Sequence, residues 1–245
     1  MKPPRAWMAW SSGKDSAWAL HVARQQGQVD VVGLLTTVTD TYGRISMHGV
    51  REELLHAQAA AVGLPLHVVR IPAPCPNDVY ETRMREALDL GQRDGVTHVV
   101  FGDLFLADLR VYRERQLGRV GMTGVFPLWR RDTAKLAREM ISSGLRAHVV
   151  CIDPRRVPVA LAGRAFDESL LQDLSADIDP CGENGEFHTF AWNGPMFARP
   201  VAVTVGETVE RDGFVFTDLV GELGRVPRES IPRGLRRTHM MGHAD

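Results

Sequence analysis

The run Ser11-Ser12-Gly13-Lys14-Asp15-Ser16 gathers three hydroxyls, a glycine, a lysine and a carboxylate into six residues. A loop of this kind, fed by a strand and leading into a helix, turns backbone N–H groups and the positive end of a helix dipole onto an anion. Gly13 permits close backbone approach, Ser11, Ser12 and Ser16 offer hydroxyl donors, and Lys14 adds a compact positive charge. Asp15 repels a phosphate unless it helps to hold Mg²⁺ or caps the helix. A Walker A loop is excluded: its leading glycine is missing, and Asp15 stands where Ser or Thr must follow the lysine. The competing reading is a polar turn that does no more than cap a helix.

A second cluster is Gly102-Asp103, followed by Arg110, Arg113 and Glu114 at helical spacing i, i+3 and i+4. Two guanidiniums at the mouth of a phosphate crevice could grip a polyphosphate or an acidic substrate bidentately. A solvated helix face laced by Glu–Arg pairs is the alternative. The third cluster, over 181–189, places Glu183, Glu186, Asn184 and His188 among the turn formers Gly182 and Gly185. Such a group could hold Mg²⁺ through its carboxylates, bind an ammonium or amine nucleophile, or relay a proton through His188. A polar loop leading into a hairpin is the alternative here. One cysteine and one histidine seven residues apart supply too few ligands for zinc.

Alternating short strands and helices must position these clusters. Strands are expected over 7–10, 29–36, 66–71, 96–101 and 146–152. Helices are expected over 16–26, 50–62, 77–93 (capped by Asn77), 106–118 and 133–141. Strands joined by helices imply βαβ crossovers and a mostly parallel sheet with helices on both faces, an α/β fold. Ligands of such sheets sit beyond the carboxyl ends of the strands, so Ser11–Asp15, Thr36–Asp40 and Gly102-Asp103 should share one crevice. Strands over 201–211 and 214–219 flank Asp212-Gly213, a strong hairpin signal. The expected organisation is an α/β domain over 1–152, a smaller β-rich C-terminal lobe over 153–221 that binds substrate, and a flexible Arg-rich tail over 222–245.

The 29 basic and 30 acidic residues balance to a net charge of −1, which disfavours bulk nucleic-acid binding. Three scattered cysteines, Cys75, Cys151 and Cys181, suggest no disulfide framework and suit a reducing cytoplasm. No apolar run reaches membrane-spanning length. The oligomeric state is open, a homodimer included.

The six-residue loop resembles the SGGxDS pyrophosphate loop of the adenine nucleotide α-hydrolase superfamily, the ATP pyrophosphatases. Ser12 stands where the first of the paired glycines usually is, and a serine there demands a more ordinary backbone angle. That resemblance implies ATP bound through 11–16, Gly102 and Asp103, with adenine at the second strand's end near Leu35, Thr36 and Met47. Gly102-Asp103 with Leu109-Arg110-Val111-Tyr112-Arg113-Glu114, then Pro127-Leu128-Trp129, then Cys181-Gly182-Glu183-Asn184-Gly185-Glu186-Phe187-His188-Thr189, resemble the diphthine–ammonia ligase family. The similarity runs in order from about residue 6 to 219. It implies that a substrate carboxylate attacks the α-phosphate, pyrophosphate leaves, and ammonia displaces AMP to give an amide. Catalytic roles then fall to Asp15, Lys14, Glu183, Glu186 and His188, substrate contacts to Arg110, Arg113, Glu114 and Asn184, and a Mg²⁺ site to Asp15 and Glu186. The best-known members read GEGGEY and Gln-Arg-x-Arg-x-Glu where this chain differs, so it resembles a bacterial-looking branch. The carboxylate, small or protein-borne, is left open. Sulfur transfer to tRNA and an ATP sensor without turnover are the rival readings.

Overall fold

The computed structural model describes residues 2–40, 44–45 and 49–221. Tyr42, Gly43, Met47, His48 and the tail over 222–245 lie outside the described residues.

Five strands run parallel: β1 (Arg5–Ala9), β2 (Asp30–Thr39), β4 (Leu66–Ile71), β5 (Val96–Val100) and β6 (Thr123–Val125). Their order across the sheet is β4-β2-β1-β5-β6. β2 outruns β1, and the two-residue strand β3 (Arg44–Ile45) pairs antiparallel with the overhang at Val38 and Thr39. The connecting helices are α1 (Lys14–Gln26), α2 (Glu52–Val62), α3 (Asn77–Arg93) and α4 (Ala107–Arg119). The chain winds from β1 to β4 in one direction, then returns to the other side of β1 with β5. The gap between β1 and β5 is therefore the topological switch point, where α/β sheets bind their ligands.

Alternation along β1 feeds two cores. Ala6 and Met8 face α1 and α2 through Ala17, Leu20 and Leu54, whereas Trp7 joins Val99, Leu88 of α3 and Leu117 of α4. Helices thus cover both faces, as expected. Asn77 opens α3 without capping it; Pro76 holds the cap position with no side-chain bond.

After α5 (Thr133–Ser142) come β7 (Arg146–Ile152), the short α6 (Glu168–Asp173), β8 (Phe187–Asn193), β9 (Val203–Arg211) and β10 (Phe214–Gly221). These four strands form a separate antiparallel sheet in the order β8-β7-β10-β9. β7, grouped above with the first sheet, pairs with β8 and β10 instead. Its near-continuous burial is compatible with either sheet, and only the long-range pairing decides. Asp212 and Gly213 turn the last hairpin at φ +52° and +78°, as the left-handed type I′ turn requires. The second sheet packs onto the α1 face of the first through Val149, Phe190 and Val215. Among the described residues no helix is long and apolar enough to cross a membrane.

Candidate active site

The loop after β1 is built by partners from both sheets. Ser12 lies at φ +69°, so the ordinary angle expected of a serine is not what the fold adopts. Its carbonyl accepts bonds from Ala191 N at 2.9 Å and from the Gln58 side chain at 3.0 Å, contacts that fix this left-handed turn. The conformation costs a non-glycine residue about 1–2 kcal/mol. Ser12 Oγ is buried without a hydrogen-bond partner. Ser11 Oγ accepts from Gly13 N and lies 3.1 Å from Ser16 Oγ. Neither Ser12 nor Asp15 caps α1. Gly13 is the cap residue and makes no side-chain bond, while Lys14 N donates to Thr189 Oγ1 of β8 at 3.1 Å.

Lys14 is 1% exposed, and its ammonium donates to Asp15 Oδ2 at 2.8 Å and to the Cys181 carbonyl. The rings of Phe166 and Phe187 flank it, each centroid 5.3 Å away. Burial opposes the charge, but Asp15 and Cys181 outweigh it and raise the ammonium's pKa. Asp15 Oδ1 is buried with no partner, and burial pushes that carboxyl upward against the pull of Lys14.

Across the switch point, a Cβ on Gly102 would lie 2.8 Å from Asp15 C and 2.9 Å from Ser16 N. The loop after β5 touches the first turn of α1 backbone to backbone, and only glycine leaves room. Next to it Asp103 takes both ends of the Arg113 guanidinium, at 2.6 and 3.1 Å, and that guanidinium stacks on Phe101. Glu183 Oε1 accepts from Leu104 N at 2.7 Å and Phe105 N at 3.4 Å, tying the third cluster to the second. Burial raises Glu183 to about 7; the backbone bonds oppose the rise, and Asp15 and Asp103 add to it. His188 is lowered to about 4 by burial and by Lys14, so its imidazole is neutral at ordinary pH.

Two cavities meet here. A polar crevice of about 220 Å³ is lined by Ser11, Lys14, Asp15, Gly102, Asp103 and Glu183, among others. A larger chamber of about 450 Å³ opens between α3, α4 and the ends of β1 and β2, with apolar walls that include Leu35, Tyr80, Met84 and Phe101. Thr36 lines the chamber, and its buried Oγ1 has no partner. Ala9, Ser11, Phe101, Arg113 and His188 border both spaces.

Several expected residues stand apart from both. Arg110 bonds Glu114 at 2.8 Å and lies over Phe126 and Trp129, so this part of α4 is a stacked ion pair rather than a crevice wall. Asn184 is exposed and donates to Glu186 Oε1. Glu186 is fully buried, and the same oxygen also accepts from Arg156 and Asp179 N. These bonds lower its pKa against the effect of burial. Asp15 lines the polar crevice and Glu186 does not, and among the described residues no three acidic, Cys or His side chains form a ready metal cage. Gln58 and the Thr189 hydroxyl are the positioning groups that sequence reasoning missed. A glutamine between Leu55, Ala59 and Val62 on the buried stripe of α2 was the available signal.

A pyrophosphate-type loop at the switch point of a parallel sheet, completed by acidic and basic groups from two further segments, defines a PP-loop α/β enzyme. Residues 4–124 match the family model for the diphthamide synthase N-terminal domain, and residues 132–218 match that for its C-terminal domain. The chain belongs to this family. It is 28% identical over 220 residues to a diphthine–ammonia ligase of Danio rerio, covering 81% of this chain and 86% of that protein. The Rattus norvegicus diphthine–ammonia ligase is 25% identical over 226 residues, covering 81% and 82%. That of Schizosaccharomyces pombe is 25% identical over 219 residues, 82% of this chain but 36% of the longer relative. By this membership the chain is an enzyme of the ATP-dependent ligase class. The two matched segments part between β6 and α5, where the chain leaves the first sheet.

Proposed function

We propose that the chain adenylates a substrate carboxylate with ATP and passes the acyl group to ammonia. The meeting of the two cavities at the 11–16 loop carries this reading. The polar crevice suits the polyphosphate, and the apolar chamber suits adenosine, with Thr36 Oγ1 offering the base an unused hydrogen bond. The α-phosphate then falls at their border, beside Ser11, Arg113 and His188.

In the first step a carboxylate oxygen bonds to the α-phosphorus and the bond to the β-phosphate bridge breaks, giving an acyl adenylate and pyrophosphate. In the second, ammonia attacks the acyl carbon, AMP leaves, and one proton is released with the amide. Glu183, near neutrality and in the crevice, is the group suited to take that proton. His188 stays neutral and orients groups through hydrogen bonds. Arg113, fixed by Asp103, sets positive charge at the border. Lys14 supports the loop from behind, compensating Asp15 and holding the third cluster by the Cys181 carbonyl.

Mg²⁺ fits the oxygen donors of the crevice, which Asp15, with its unpartnered Oδ1, lines together with Asp103 and Glu183. This ion uses one or two carboxylates together with substrate phosphates, and when bound it neutralises phosphate charge. Glu186 is outside that set. Sulfur transfer draws no support, because burial pushes both buried thiols up, Cys151 to about 12. A cytoplasmic location and the bacterial-type branch belong to this reading as proposals, and the carboxylate, diphthine or another, is left to experiment.

Incubation with ATP, Mg²⁺, ammonium and a panel of carboxylates tests it. Substrate-dependent AMP and pyrophosphate are expected, and Asp15→Ala abolishes both. Production of ADP in place of AMP sinks the α-phosphate mechanism.

A further inference from the structure

One buried amide joins three parts of the molecule. The Gln58 side chain, fully buried in α2, accepts from Trp10 Nε1 at 2.9 Å and donates to Ser12 O at 3.0 Å and to Ala191 O at 2.6 Å. Trp10 directly follows β1, the first sheet's central strand, Ser12 is the apex of the phosphate loop, and Ala191 belongs to β8 of the second sheet. Both donors and the acceptor of the amide are used, which leaves it a single orientation. Ala191 N donates to the same Ser12 carbonyl, so that oxygen receives two bonds. It belongs to a serine at φ +69°, a backbone region that glycine enters freely and serine does not.

We infer that Gln58 is the positioning residue of the phosphate loop: it holds Ser12 in the left-handed turn and makes the ATP site depend on the second sheet. A glycine at position 12 needs no such clamp, whereas a serine there does. The strained turn persists because its carbonyl is captured from two directions, the condition under which such conformations survive in native structures. This inference rests on the ATP reading above for its ligand, but the clamp itself is a property of the free protein.

The test is a double-mutant cycle between Gln58→Met and Ser12→Gly. Methionine fills a similar volume without hydrogen bonds, and its losses at Trp10 and Ala191 are common to both backgrounds and cancel. In the native background Gln58→Met is expected to weaken ATP binding about tenfold, the population cost of a left-handed serine that keeps only the Ala191 N bond. With Ser12→Gly already present, the same change is expected to cost about twofold or less. Amide hydrogen exchange at residues 11–16 without nucleotide reads the same coupling: faster exchange after Gln58→Met, restored by Ser12→Gly.

Equal losses in both backgrounds, or wild-type binding and exchange by Gln58→Met, overturn the inference. If wild type fails to bind ATP, the ATP reading falls, and the exchange cycle still decides the clamp. Should Gln58→Met alone fail to fold, recovery of folding in the double variant supports the clamp and its absence overturns it.

Discussion

Glu183→Gln should make the protein more stable at alkaline pH while destroying its turnover. The Glu183 carboxyl rises from an ordinary 4.5 to about 7, first because it is buried and then because Asp15 and Asp103 share its surroundings. That rise corresponds to about 3 kcal/mol of preference for the neutral form, roughly 2 after allowance for solvent screening. The native carboxyl keeps a proton that the unfolded chain has already lost between pH 4.5 and 7. Stability from this group is therefore present at low pH and is lost as pH rises to about 7, the reverse of a salt-bridged carboxylate. Glutamine is neutral throughout and retains a carbonyl to accept from Leu104 N.

The stability gap between the variant and wild type is expected to be under about 1 kcal/mol at pH 5 and about 2–3 kcal/mol at pH 8. Urea unfolding at pH 5, 6.5 and 8 measures it; in a thermal melt the gap at pH 8 amounts to about 4–12 °C. A Gln variant less stable than wild type at pH 8, or a gap that does not widen with pH, refutes the assignment of Glu183 as a half-buried carboxyl held above its ordinary range. Release of AMP by the same variant is expected to fall at least about 100-fold if Glu183 is the base. Gain in stability with loss of turnover marks a site residue whose burial is maintained against folding.

Gly102→Ala forces a Cβ onto the backbone of Asp15 and Ser16, so the loop after β5 and the first turn of α1 must part. A loss of about 1–3 kcal/mol in a thermal melt is expected, with AMP release down about tenfold or more; wild-type values in both would contradict the backbone contact. The pH profile of kcat/KM should rise through about 7 with Glu183 and show no limb from His188, which protonates only near 4. An ionisation near 6.5 that disappears in His188→Gln would overturn the neutral assignment of that imidazole.

Strand ends were the legible part of the site. Ser11 and Gly102 lie just past β1 and β5, where apolar runs give way to serine or glycine, whereas β2, expected to stop at Thr36, runs on to Thr39. A parallel sheet then brings such ends to one edge whatever the side chains are. What stayed hidden depends on direction rather than position. Glu183 and Glu186 lie three residues apart in a turn where Gly182 and Gly185 both take left-handed angles. The turn sends Glu183 to Leu104 in the crevice and Glu186 to Arg156 beneath it, a choice no local pattern encodes. The tie of Arg113 to Asp103 and the stacking of Arg110 on Phe126 likewise separate two arginines that helical spacing had grouped together.

β8 was illegible for a related reason. Phe187–Asn193 mixes aromatic, polar and small residues, so neither alternation nor a continuous apolar run marks it as a strand. Yet this strand completes the loop with which the sequence is most easily read. Thr189 supplies the bond that no local cap gives to Lys14 N, across 175 residues, and Ala191 with Gln58 fixes the Ser12 turn. A six-residue motif that would bind phosphate on its own needs glycine at its apex. With serine there, the same geometry has to be imposed from outside. The motif thus carries the proposed ATP reading, while the second sheet holds the loop in the shape that reading requires.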